Sequence, residues 1–410
     1  MIKKRSFWIS LCLVNLCLVA FFGFTLRSKI LFPLSFLDYR NVLSAHSHFA
    51  FAGWAGLALM TLLIYDLLPG TLSEKKIYQW ILGGIEVSSL GMAFTFPFYG
   101  YNAASIFFST LYIFVAFVFA FVFFKDVKRT NYPFVLKLLS ISAVSSLLLS
   151  FLGTLGLVYI LGSRSNDAIL YRDSIYVFLH FQYNGFFTLS VFSLLLNYLV
   201  KKGIGIDKSA RLFSVFLFLS VAPALFLSLL WHNNSLFYIL AAIGCVLILI
   251  GLYYFLLFFR NLQKVQVFSS GLAGTFWLFA ALSFALKMLL NVGTIFPQLG
   301  NEVYGDRPVI IGFLHLIFLG FLSFYILFTL IEDGYFSREG KVIAFPFLVF
   351  STGIIANEFF LMVQGLGILF KTNSKAFPWL LWGAAILLFT GSVAIAISRL
   401  AAMQSENKKL

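Results

Sequence analysis

The sequence predicts an all-α fold, a polytopic transmembrane bundle of about twelve helices, and three observations predict it. The 410 residues are 61% hydrophobic and only 11% charged. Soluble domains are roughly half apolar and about a quarter charged, so too little polar surface exists here to coat a particle in water. The mean hydropathy is +0.97. The apolar runs reach about 20 residues or more without period-two alternation, which is the length and pattern of membrane helices and not of barrel strands.

The spans fall at about 7–26, 43–67, 77–97, 102–124, 134–161, 173–200, 211–231, 235–259, 267–295, 308–331, 342–370 and 378–401. The shortest connections are the turns Pro97–Tyr101 and His232–Ser235. The remaining loops leave no room for a large extramembrane domain, so residues 1–410 read as one membrane domain. Lys3, Lys4 and Arg5 precede the first apolar run, as in a signal peptide, but only Phe24-Thr25-Leu26-Arg27 follows, without a small-x-small site. The first helix is expected to be retained.

The net charge is +14. Placing the N-terminus in the cytoplasm puts about twenty of the lysines and arginines in inner loops, Arg338, Lys341 and Lys409 among them, and about eight outside, Arg27, Arg40, Arg164, Arg172, Arg307 and Lys371 among them. That asymmetry favours both termini inside. The basic residues then orient helices and meet anionic lipid. No basic patch interleaved with exposed aromatics suggests nucleic acid. Cys12, Cys17 and Cys245 lie inside apolar runs without a C-x-x-C spacing, so covalent haem and a cysteine zinc site are not expected. The 53 phenylalanines read as lipid-facing filler.

The five histidines are His46, His48, His180, His232 and His315. His46 follows Arg40 by six residues, about 9 Å along a helix. His180 and His315 follow Arg172 and Arg307 by eight, roughly 12 Å. With His232 at the outer end of the seventh span, four helices bring imidazoles into the outer half of the bilayer. Polar groups in hydrocarbon are expensive and usually functional, and imidazole is the common ligand of haem iron and copper. His48 lies roughly 200° around the helix from His46, so the two cannot face one ligand. Gly53 and Gly312 are small residues that would let a flat macrocycle approach. Glu86, Lys287, Gln364 and Glu358 also lie within spans, as do Gln182, Tyr183 and Asn184 after His180. For these, a proton route or polar wall and simple interhelical hydrogen bonding stand as alternatives.

These positions resemble subunit I of the haem-copper oxidase superfamily, particularly its C-type oxidase and nitric oxide reductase branches. Asn41-Val42-Leu43-Ser44-Ala45-His46 resembles the start of that family's second helix, and His315-Leu316-Ile317-Phe318-Leu319-Gly320 its tenth. His180 followed by Gly185-Phe186-Phe187, and Trp231-His232-Asn233 about fifty residues on, resemble its sixth and seventh. The resemblance implies a low-spin haem b held by His46 and His315, with His48 as the alternative to His46. Arg40, Arg172 and Arg307 would pair with haem propionates or serve as interfacial anchors. His180 and His232 would be the remnant of a copper site. The sequence departs where the family holds its catalytic haem, at Phe313, and in its copper site, at Asn233 and Asn184. The implied function is electron transfer or oxygen or nitric oxide chemistry, with a damaged binuclear centre. If an enzyme, the protein would be an oxidoreductase of the terminal oxidase or nitric oxide reductase type; no catalytic residue is assigned. A cytochrome c or quinol donor and partner oxidase-type subunits would accompany it, in a bacterial cytoplasmic membrane. His46-Ser47-His48 followed by Gly53 is similar also to NnrS-type membrane haem-copper proteins. The rival expectation is a cofactor-free proton-coupled transporter, or a structural or assembly protein, using Glu86, Lys287 and Glu358.

Overall fold

The computed structural model describes residues 2–408 except 266, 269–270, 301–306, 337–340, 371 and 373. Arg338, Lys371 and Lys409 of the loop-charge count lie outside the described residues. Among those described there is no strand, and twelve helices are long and apolar enough to cross a membrane. They are α1 (Lys4–Leu31), α2 (Tyr39–Leu67), α3 (Lys76–Tyr99), α4 (Ala103–Lys128), α5 (Phe134–Ser163), α6 (Ala168–Lys201), α7 (Lys208–His232), α8 (Ser235–Lys264), α9 (Leu272–Gly293), α10 (Arg307–Glu332), α11 (Ala344–Gly367) and α12 (Phe377–Gln404). An even number of crossings puts both ends of the chain on one face of the bundle, called here the N-terminal face. The protein is a multi-pass membrane protein.

Side-chain caps start many of these helices by satisfying orphaned backbone donors. Asp38 accepts from Asn41 N (3.0 Å), Asp167 from Leu170 N (2.9 Å) and Asp207 from Ala210 N (2.7 Å). Asn102 and Ser105 form a reciprocal capping box at α4. The two shortest turns have distinct devices. Between α3 and α4, Gly100 adopts φ 60° and packs against Asn41, where a Cβ would lie 2.6 Å from Oδ1. Only glycine takes that backbone conformation there without strain. Between α7 and α8, Asn233 takes the left-handed conformation at φ 52° and Asn234 caps the next helix.

Helices α2 and α6 form the centre: their most apolar stretches are 89% and 83% buried, against 33% for α4, α5 and α8 at the periphery. The aromatic residues divide accordingly. Phe94, Phe107, Phe114 and Phe121 are exposed to the lipid side, as the sequence suggests. Others are core: Phe192 of α6 meets Phe213 of α7 and Phe284 of α9, each at 4.7 Å between ring centres. Edge-on ring pairs of this kind add to the packing attraction on which membrane helices depend.

The helices carrying the central histidines share a local irregularity. In α2, α6 and α10 the backbone widens into π-type turns at Ala50–Gly56, Phe181–Phe187 and Leu316–Ser323, each beginning within four residues after a histidine. Such turns leave the regular ladder and re-aim side chains, and they concentrate at functional sites.

Candidate functional site

A cleft enclosing about 1030 Å³, counting the part open to its surroundings, lies between α1, α2, α10, α11 and α12. Its walls are mainly apolar; its polar lining comprises His46, Ser47, His315, Arg27 and Asn357, with Trp54 beside them. The two histidines face one another across α2 and α10, with ring centres 6.4 Å apart and planes within 21°. Each ring has one nitrogen on a backbone carbonyl. His46 Nδ1 lies 3.1 Å from Val19 O of α1, and His315 Nδ1 lies 2.8 Å from Ile311 O of its own helix. A carbonyl only accepts, so Nδ1 carries the proton in both rings and Nε2 keeps its lone pair. A carbonyl on the far ring nitrogen in this way fixes the tautomer and orientation of a metal-binding histidine. Two imidazoles bonded at about 2 Å to one metal ion between them have ring centres roughly 6 Å apart.

Small side chains make room beside the rings, but not the ones expected. Gly53 packs against Phe49, where a Cβ would lie 2.4 Å from the ring, and Gly312 packs towards Leu361 of α11. The glycine at the cleft is Gly23 of α1, whose added Cβ would stand 3.3 Å from His46 Cε1. Sequence spacing identifies residues on the same helix face; the close approach here comes from another helix.

The arginines are also redistributed. Arg27, read from the sequence only as an outer-side charge, lines the cleft, with Tyr39 and Arg307 as neighbours. Arg307 sits 4.8 Å over the Tyr39 ring. Arg40 is exposed. Arg172 lies over Trp231 at 4.7 Å, away from the cleft on the α6–α7 side. Of the three arginines expected at a cofactor, only Arg307 stands near the cleft, and Arg27 takes the inward place. Asn357 of α11 was likewise missed; a buried asparagine in an apolar span is the signal that marks it.

His48 turns the other way. Its Nδ1 donates to Ser44 O at 2.9 Å, its ring rests on Phe96 at 4.5 Å, and Tyr101 Oη lies 3.5 Å from Nε2. It belongs to the α2–α3 packing and not to the cleft, as the 200° offset requires.

The structure does not bring His180 and His232 together. His180 is fully buried; Nε2 donates to Val221 O at 2.7 Å and Nδ1 accepts from Asn184 Nδ2 at 3.1 Å. Both ring nitrogens are thereby engaged. His232 Nε2 lies 3.0 Å from both oxygens of Asp173, two turns and about 10 Å before His180 on α6. Among the described residues no group of three or more His, Cys, Asp and Glu gathers as a metal-ion site. Aromatic rings fill the neighbouring interior. Phe51, Phe187 and Phe318 meet at 4.6–5.8 Å, and Phe313 packs edge-on to Tyr183 at 5.8 Å.

Several of the remaining intramembrane polar groups find partners. Lys287 of α9, fully buried, donates to Thr188 Oγ1 at 2.8 Å, with Tyr183 O at 3.4 Å. Asn291 donates to Asn184 Oδ1 at 3.1 Å, and Asn357 to Glu358 at 3.0 Å. Glu86 accepts from Asn15 of α1 at 2.7 Å. No protein-family model matches the chain, and no curated protein matches it in sequence.

Proposed function

We propose that this membrane protein is a haem-binding redox protein in which His46 and His315 hold one haem b through their Nε2 atoms. The paired histidines carry the reading, each with its Nδ1 on a backbone carbonyl and both opening onto one apolar cleft. The apolar walls suit a flat hydrophobic macrocycle, and Arg27 at the cleft supplies a cation for its carboxylates, reinforced by Arg307 near its mouth. Haem held there by His46 and His315 would supply one-electron transfer, and these two side chains would leave no place for a gas. Val19 and Ile311 hold the rings in orientation, and Phe51 and Phe318 keep water from the inner wall. The charge asymmetry of the loops favours a cytoplasmic N-terminal face, which would leave the cleft in the outer half of a bacterial inner membrane. The resemblance to haem-copper oxidase subunit I supplies the context, with cytochrome c or quinol as electron donor.

Oxidised and dithionite-reduced visible spectra of the purified protein in detergent test this. The reduced protein should show the sharp α-band of six-coordinate haem b. His46→Ala and His315→Ala should each abolish it, and His48→Ala and His180→Ala should retain it. The reduced protein should bind no carbon monoxide. A protein that stays colourless after haem supplementation overturns the assignment. One observation favours the rival, a cofactor-free proton-coupled transporter: Lys287 is wholly buried with only neutral hydrogen-bond partners, Thr188 Oγ1 and Tyr183 O. A colourless protein would bring that reading forward.

A further inference from the structure

Beneath the cleft, three helices meet at a carboxyl group. Asn15 of α1 donates from Nδ2 both to Glu86 Oε2 of α3 (2.7 Å) and to Gly53 O of α2 (2.8 Å). Asn15 and Glu86 are both buried. Leu16 and Trp54, next in sequence to Asn15 and Gly53, line the cleft, so this junction borders its inner end. Glu86 Oε1 is buried with no hydrogen-bond partner. Among the described residues no ion pair reaches Glu86. The titratable groups facing this junction are Cys12 of α1 and, from α4, Tyr112, which approaches α2 at Gly56; α2 contributes only uncharged groups.

Two turns towards the N-terminal face, the same three helices are joined again. Trp8 Nε1 of α1 donates to Gln79 Oε1 of α3 at 3.1 Å, and Gln79 Nε2 donates to Tyr65 Oη of α2. Tyr65 lines a polar cavity enclosing about 1110 Å³, open space included, with Arg5, Asp66, Lys201 and Asp333. Between the two levels lies Thr61, fully buried, its hydroxyl against the Cys12 thiol and without a nitrogen or oxygen partner. Buried polar atoms left unpaired are rare, and they mark places that take water or an ion. Two such oxygens, on Thr61 and Glu86, stand at successive levels between the polar cavity and the cleft.

We propose that Glu86 is a proton-binding residue, filled from the N-terminal face by way of the polar cavity, Tyr65 and water at Thr61, and that its proton balances charge delivered to the cleft. The second half rests on the haem reading. The step is simple: a hydronium ion in the cavity releases its proton, which travels along the hydrogen-bonded groups and forms the O–H bond of the Glu86 acid, leaving water behind. The balancing charge is the one electron supplied by the redox donor. Seven residues of α2 separate His46 from Gly53, about 10 Å. A unit charge at roughly that distance, at an effective dielectric constant of about 20, changes the proton affinity of the carboxylate about tenfold.

Spectroelectrochemical titration of the haem-loaded protein across pH reads this coupling. A tenfold effect corresponds to a midpoint potential falling by about 59 mV in total from the acid to the alkaline limit. The potential of Glu86→Gln should be independent of pH. Reduced-minus-oxidised infrared spectra should show a carboxylic C=O band that shifts in D₂O and is missing from the variant. Should Glu86→Gln not fold, Thr61→Val keeps the carboxyl; it should leave the potentials unchanged and slow the D₂O shift at least tenfold. A pH-independent wild-type potential, or a pH dependence and band that persist in Glu86→Gln, overturns the proposal. A colourless protein defeats the haem reading alone. Infrared pH titration of that unloaded protein still decides the proton site: an exchangeable carboxylic band absent from Glu86→Gln upholds it, and a band that does not exchange refutes it.

Discussion

Replacing Gly23 separates cofactor binding from folding. The His46 ring is held from α1 at two points one turn apart: Nδ1 donates to Val19 O at 3.1 Å, and Cε1 packs over Gly23. The Cβ of alanine would lie 3.3 Å from Cε1 and 3.8 Å from Nδ1, so the ring must give by a few tenths of an ångström. Displacing a held ring costs about 0.5–1.5 kcal/mol. Removing glycine from a helix interior returns about 1 kcal/mol. Gly23→Ala should therefore unfold within about 2–4 °C of the wild type. Gly23→Leu extends a branched side chain into the cleft and should lower haem affinity about 10–100-fold, the scale of losses when a ligand's supporting shell is disturbed. Haem titration followed by visible absorption, beside thermal unfolding in the same detergent, measures both quantities. A Gly23→Leu protein with wild-type haem stoichiometry and an unchanged α-band would show that the cofactor does not sit between α1, α2 and α10.

Other expectations follow from local geometry. Trp54, 2% exposed at the cleft, donates from Nε1 to Ser323 Oγ at 3.3 Å; Trp54→Ala should cost about 3–5 kcal/mol, seen as a lowered unfolding temperature. Arg5 bridges Asp66 and Asp333 at 2.6 and 2.5 Å. Arg5→Ala leaves two neighbouring carboxylates, so its faster proteolysis at the N-terminal face should be largely reversed by adding Asp66→Asn; no rescue would show the bridge to be unimportant. At the start of α7, burial pushes the Asp207 carboxyl up, but hydrogen bonds from Ala210 N, Ser209 Oγ and Asn261 Nδ2 outweigh it and hold the group below its ordinary value of 3.8. A depressed folded value stabilises the protein above 3.8, and that contribution disappears as pH falls towards the folded value. Unfolding followed against pH should show an acid limb that is shallower in Asp207→Asn.

The spans were legible because length and apolarity along one chain segment suffice to define them; every expected span corresponds to a helix of the bundle within a few residues. The tight turns Pro97–Tyr101 and His232–Ser235 were also readable, as the shortest gaps between apolar runs, while the structure showed Gly100 and Asn233 as their positive-φ residues and Asn234 as the following cap. Side-chain destinations were less readable. Many phenylalanines that read as lipid-facing instead build the interior around Phe192 and Phe284, because in hydrocarbon the inside and outside of a bundle have the same polarity and composition does not tell them apart. Asn15 went unremarked in an apolar run, yet it joins α1, α2 and α3.

The sequence by itself determined the class of protein, the number of membrane-length helices and the position of each histidine along its helix, since these follow from distances along single segments. The tertiary structure decided which histidines meet. Equal depth places His46, His180 and His315 at one level, but only the packing of α2 beside α10 sets two rings 6.4 Å apart. The turn of α6 towards α7 gives His180 to Val221 and Asn184 instead. It likewise brought Arg27 and Gly23 to the cleft from a helix whose spacing shares nothing with His46. Depth is one-dimensional and is written in the order of residues. Proximity between helices depends on rotation and packing, which are settled only when all the helices are assembled.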